Sequence, residues 1–194
     1  MDTAAAGEQR RVMLVADPTR ESAGALQYAL SHALLENDTL ILFHVGNPSA
    51  WKNRLGSFFK KPNGNGSGGA AAGLAEIGSG GIGADVDFLD AMKQACGAVM
   101  PKLNVVAEKM EMAEGQDKAS IILAQSWVLN IDMIIIGQRR KLSNAILLGS
   151  KKGFDTAEYL ILNSKCGCVA VQKKGQNAGY ILSSKTQKNF WLLA

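Results

Sequence analysis

The stretch IDMIIIGQRRKLSNAILLGS (residues 131–150) decides how the rest of the chain is read. Its first part, IDMIIIG, is a short β-branched apolar run closed by glycine, the pattern of a strand buried on both faces. Its second part, GQRRKLSNAILLGS (137–150), carries consecutive cations and ends on a second glycine and a serine. A strand, a glycine-flanked loop and small residues ahead of a helix can cradle a phosphate, or can simply connect two elements.

Working outward, the same alternation recurs. RRVMLVAD (10–17) reads as a buried strand that stops at Pro18, and TRESAGALQYALSHALLEN (19–37) follows with Ala23, Leu26, Leu30, Ala33 and Leu34 at helical spacing. Thr19 is placed to cap that helix, with Ser22 in its first turn. DTLILFHV (38–45) is the next strand. VDFLDAMKQACGAVMPKLN (86–104) reads as a helix with Phe88, Met92, Ala95 and Val99 on one side, and VVAEKMEM (105–112) as an alternating strand. QDKASIILAQSWVLN (116–130) is helical. After the opening stretch, KKGFDTAEYLILNS (151–164) is helical and KCGCVAVQK (165–173) is a strand.

Such β-α alternation predicts an α/β domain with a mostly parallel sheet covered by helices on both faces. In these sheets ligands bind outside the carboxyl ends of strands, where the strand order reverses. Two stretches fall at such ends: ADPT (16–19) and GQRRKLSNAILLGS. Glycine lets backbone approach a ligand closely, and a glycine and serine opening a helix offer N–H groups and a hydroxyl to phosphate. Asp17 could accept hydrogen bonds from an adenine amino group or a ribose. Neither a Walker GxxxxGK[ST] nor a GxGxxG after a strand occurs.

Residues 46–85 differ in kind. Glycine, asparagine and serine dominate, which predicts a long flexible insertion. Its front half interleaves Trp51, Leu55, Phe58 and Phe59 with Lys52, Arg54, Lys60 and Lys61, as in a short basic amphipathic helix that packs on its own domain or meets a partner or membrane surface. Residues 1–9 read as a disordered lead, with no apolar signal segment and no run near the ~20 residues that span a bilayer. These features predict a cytoplasmic protein.

The 194 residues carry a net charge of +4, too mild to argue for nucleic acid as a partner. Cys96, Cys166 and Cys168 make no disulfide framework and read as reduced, buried thiols, and no metal site is expected with only His32 and His44 to serve it. His44 reads as a satisfied histidine at the end of a strand. Ser22, Ser143 and Ser150 lack a His/Asp context for nucleophilic work, so no enzyme is predicted.

The strand IDMIIIG, its loop, ILLGS, a helix and the terminal strand CVAVQ resemble the C-terminal half of a universal stress protein domain. The strand ending in Asp17, its helix and the strand ending LFHV resemble the N-terminal half. The resemblance covers about residues 10–173, with residues 46–85 matching poorly. The remaining 174–194, closing on YILSSKTQKNFWLLA, is similar to the tail of a plant subgroup of this family. It implies a Rossmann-like five-stranded parallel sheet, frequent dimers, a role in stress response and, in some members, ATP binding.

ATP-binding members carry glycine, two residues, glycine, nine residues, then glycine and serine or threonine. The first glycine lies by the ribose and the later small residues by the phosphates. Gly137 matches the first, but Arg140 stands where the second should be, at a strain of order 1 kcal/mol for a glycine-type backbone. Only 11 residues separate Gly137 from Gly149, one short of the pattern, and aligning Gly149 and Ser150 instead puts Ile136 and Arg139 on the earlier glycines. Arg139, Arg140, Lys141, Lys151 and Lys152 crowd the same end, so a guanidinium could hold phosphate where backbone no longer does.

The expectation is therefore a non-catalytic, regulatory module binding ATP or another adenine nucleotide weakly through Asp17, Gly137, Arg140, Gly149 and Ser150. The rival expectation is a ligand-free dimeric interaction module, paired through the edge strand CGCVAVQ. The tail residues Phe190, Trp191, Leu192 and Leu193 are expected to dock on the domain or across a dimer rather than on a membrane surface.

Overall fold

A computed structural model describes residues 9–46, 84–139, 155–175, 179–186 and 190–192. The insertion apart from its margins, and the loop holding Arg140, Gly149 and Ser150, lie outside these residues. In chain order the elements are β1 (Arg11–Val15), α1 (Arg20–Tyr28), β2 (Thr39–Gly46), α2 (Ala84–Val99), β3 (Asn104–Glu111), α3 (Lys118–Val128), β4 (Met133–Gly137), α4 (Thr156–Asn163), β5 (Gly167–Lys173), β6 (Tyr180–Ser183) and β7 (Phe190–Leu192).

The strands form one sheet in the order β3-β2-β1-β4-β5-β6-β7. The first five in that order run parallel, as the alternation with helices requires. β1 sits in the middle of the five parallel strands and is buried on both faces. Val12 and Leu14 join α1 and α2 in one core, while Met13 and Val15 join α3 and α4 in the other. The same alternation sends Ile135 to the first core and Ile134 and Ile136 to the second. Three layers result: two helices, the sheet, two helices.

Thr19 caps α1 as expected, its hydroxyl accepting from the Ser22 N–H at 3.2 Å. The helix is shorter than its sequence period suggests. After Tyr28 it widens into a π-turn, Ala29–Ala33, closed by the Leu34 N–H on the Ala29 carbonyl at 2.9 Å. Its buried face combines small residues, Ser22, Gly24 and Ala25, with Leu26 and Tyr28, whereas Ala23 faces solvent. On α2 the buried stripe is Leu89 and Cys96 flanked by Phe88 and Met92. Ala95 and Val99, expected inside, are exposed, because the stripe runs one position off the spacing read from the sequence.

The main correction lies at the far edge. The five parallel strands are those expected, and two further strands extend the sheet to seven, so β5 is not an edge. The tail returns as β6, antiparallel to β5 with Val171 opposite Leu182 and Lys173 opposite Tyr180, and β7 pairs with β6 in turn. Gly175 and Gly179, both at positive φ (61° and 78°), lie where the chain leaves β5 and enters β6, and the Lys174 N–H donates to the Gly179 carbonyl at 3.0 Å. Tyr180 is buried and meets Tyr28 edge to face at 5.5 Å, and His32 stacks on Tyr28 at 5.6 Å. β5 is therefore covered by the chain's own β6, so pairing of two copies through CGCVAVQ would have to displace it. The described part of the tail docks on the domain, one of the two placements expected for it.

Among the described residues no helix is long and apolar enough to cross a membrane.

Candidate functional site

β1 and β4 are neighbours, yet the chain leaves them in opposite directions across the sheet: β1 leads toward β2 and β3, β4 toward β5. Between their carboxyl ends lies a cleft of about 210 Å³ whose walls include Asp17, Thr19, Lys118, Gly137, Arg139 and Thr156. This is the switch point where open α/β sheets take their ligands. Asp17 and Gly137, expected from the sequence, meet here. Arg140, Gly149 and Ser150 lie outside the described residues.

The backbone at Asp17 is set by Ser22. The Ser22 hydroxyl accepts from the Asp17 N–H at 3.0 Å and donates to the Val15 carbonyl at 3.2 Å, tying the end of β1 to the first turn of α1. Ser22 thus has a structural task that its lack of a catalytic context left undefined.

The Asp17 carboxylate is held from two sides. Lys118 Nζ lies 2.6 Å from Oδ1 and 2.7 Å from Oδ2. His44 Nδ1 lies 3.3 Å from Oδ1 and 2.8 Å from the Ala16 carbonyl. Both neighbours of Nδ1 are acceptors, so that nitrogen carries the proton. His44 is buried against Phe88, ring centroids 5.1 Å apart, as the satisfied histidine anticipated from its strand position. Burial pushes the Asp17 carboxyl up, but hydrogen bonds from His44 and Lys118 outweigh it and leave the group below the ordinary carboxylate range.

Lys118 was not anticipated. It is the first residue of α3, after Asp117, whose carboxylate caps the helix by accepting from the Ala119 and Ser120 N–H groups at 3.0 and 3.1 Å. The crossover from β3 to β4 must pass over β2 and β1, which carries the start of α3 to the end of β1. A cation at a helix N-terminus opposes the helix dipole by roughly 0.3–1 kcal/mol. Only the strand order, not the local sequence, reveals why a lysine belongs there.

Gly137 has a packing reason that comes before any ligand. A β-carbon at this position would lie 2.4 Å from the carbonyl carbon and oxygen of Glu21 and 2.8 Å from the Ser22 nitrogen. The first turn of α1 presses directly on the end of β4, so only glycine fits.

Of the expected crowd of cations Arg139 is the one described, and Arg140, Lys141, Lys151 and Lys152 lie outside the described residues. Arg139 Nε lies 3.3 Å from Glu21 Oε1, but the arginine is 81% exposed, so this pair contributes little. Asp155 caps α4 by accepting from the Ala157 N–H at 3.2 Å, and Gln138 donates to it at 3.4 Å. Among the described residues no cluster of His, Cys, Asp and Glu could hold a metal ion.

A three-layer α/β domain with a polar cleft at its switch point is built like a nucleotide-binding domain. The sequence model of the universal stress protein family matches residues 8–172, and the chain belongs to that family. Solved structures share the fold. One is a universal stress protein family protein from Burkholderia pseudomallei, with a TM-score of 0.50, 14% identity, and coverage of 82% of this chain and 93% of that one. A second is from Arabidopsis thaliana with AMP bound, at 0.52 and 11%, covering 86% and 93%. A third is a universal stress protein in complex with cAMP, at 0.53 and 14%, covering 86% and 98%. No curated protein sequence matches the chain.

Proposed function

We propose that the cleft between β1 and β4 binds an adenine nucleotide weakly, and that the protein is a non-catalytic regulatory module of stress response. The observation that carries this reading is Asp17, an ionised and partly accessible carboxylate fixed at the end of the central strand, beside a glycine that brings α1 against β4. A carboxylate so placed can accept from the ribose hydroxyls or the adenine amino group. Solved structures of the same fold hold AMP and cAMP, which supports an adenine ligand. Gly149, Ser150 and Arg140 remain the candidate phosphate contacts.

The one histidine at this end of the sheet among the described residues is committed behind Asp17, which favours binding over hydrolysis. Isothermal titration of AMP and ATP into the full chain tests the reading. Saturable heat with Kd in the range of about 10–100 μM, lost in Asp17→Ala, is the expected result, together with no release of phosphate from ATP. Absence of heat for both ligands rejects it.

A further inference from the structure

Lys118 stands where helix physics gives it no local support, at the positive end of α3, and its ammonium covers the carboxylate the ligand would use. Both Asp17 oxygens lie within 2.7 Å of Nζ, and Oδ1 faces His44 as well. The carboxylate therefore already has a partner of opposite charge. Lys118 and His44 already make three contacts to that carboxylate, which has about four acceptor positions. A neutral nucleoside that donates two hydrogen bonds to Asp17 therefore displaces the ammonium and leaves that cation without an anion in the cleft. A phosphorylated nucleoside replaces what it removes: the ammonium, on a flexible four-carbon stem, can pass from carboxylate to phosphate.

Arg139 does not do the same work. Its guanidinium is largely in solvent and loosely paired with Glu21, so it neither blocks Asp17 nor is released by a ligand. Lys118 is only 26% exposed and lies among the cleft walls with Thr156 and Gly137.

We propose that Lys118 is a specificity-determining residue that makes occupancy of Asp17 conditional on a phosphate, so that the cleft takes phosphorylated nucleosides and discriminates against unphosphorylated ones. This rests on the reading of the cleft as an adenine-nucleotide site. The exchange is a transfer of ion pairing alone, with no bond made or broken.

Titration of AMP and adenosine into the full chain, as wild type, Lys118→Met and Lys118→Arg, tests it. Wild type should prefer AMP by about tenfold or more, the margin of one charge-assisted contact. Lys118→Met should bring the two affinities together, weakening AMP and strengthening adenosine, while Lys118→Arg retains the preference. An unchanged ratio in Lys118→Met overturns the proposal, and so does an equal loss for both ligands, the mark of a structural lysine. If neither ligand binds the wild type, the adenine reading fails separately. Inorganic phosphate, followed by NMR at the Lys118 ε-methylene, then decides: a saturable shift supports the exchange, and no shift rejects it.

Discussion

Gly137 and Glu21 meet so closely that a β-carbon on the glycine would fall 2.4 Å from the Glu21 carbonyl. The contact joins the end of β4 to the first turn of α1 and forms the floor of the cleft. Since the clashing atoms are backbone, no rotamer change relieves them. Gly137→Ala should cost about 2–3 kcal/mol, read as a lower urea midpoint at an unchanged m-value. The neighbouring Gly24→Ala should cost less, because its β-carbon would meet only the Lys173 side chain, at 3.1 Å.

Asp17 gives stability a dependence on acid. Its folded-state value lies below the ordinary carboxylate pKa of about 3.9. Its contribution is therefore fully present above that ordinary value and fades as pH falls through the folded value. Asp117, lowered by its hydrogen bonds from Ser120 and the helix backbone despite slight burial, adds to the same trend. Asp17→Asn should be less stable than wild type at pH 7, and the gap should narrow as pH falls below about 4. A gap of constant size between pH 7 and pH 3 would contradict the pairing with Lys118 and His44.

The thiols should be unequal. Burial pushes Cys96 up to about 11 and Cys168 up to about 12, while Cys166 is raised but only half buried. The thiolate is the reactive form. In the native protein at pH 8, a thiol-titrating reagent should modify Cys166 first, with Cys96 and Cys168 reacting only on the timescale of unfolding. Rapid release of three equivalents would refute this order.

Tyr180 anchors the returning tail through Tyr28 and His32. Tyr180→Ala should cost about 3 kcal/mol and loosen β6 from β5. Hydrogen exchange at the β5 amides that face β6 should accelerate. Light scattering should show self-association growing with concentration, as an uncovered strand edge predicts. If β6 departs and the oligomeric state does not change from that of the wild type, the covered edge has no affinity for its own kind.

The sequence made the interior of the sheet legible because buried parallel strands are continuous apolar runs. RRVMLVAD and IDMIIIG could be little else, and the glycine after the second marked a close approach. The face of α2 lies one position from the expected one because Ala91, Ala95, Ala98 and Val99, all on its exposed side, blur its period. Lys118 could not be assigned to the cleft by any local pattern: Asp117 reads as a helix cap, but which strand end that helix passes depends on the order β3-β2-β1-β4. β6 is four residues long and β7 three, too short for alternation to register. Gly175 and Gly179 were turn signals all the same, and their positive φ values show what they signalled.

The return of the tail changes the kinetic order of completing the sheet. A strand supplied by a second molecule arrives by collision, and its occupancy falls on dilution. Here the strand that covers β5 is part of the same chain, only a few residues further on, at an effective concentration of about millimolar or more. The edge is closed in every copy however scarce the protein, and hydrogen-exchange protection of the β5 amides that face β6 should not change with protein concentration. A partner that seeks β5 must outcompete a neighbour that never diffuses away.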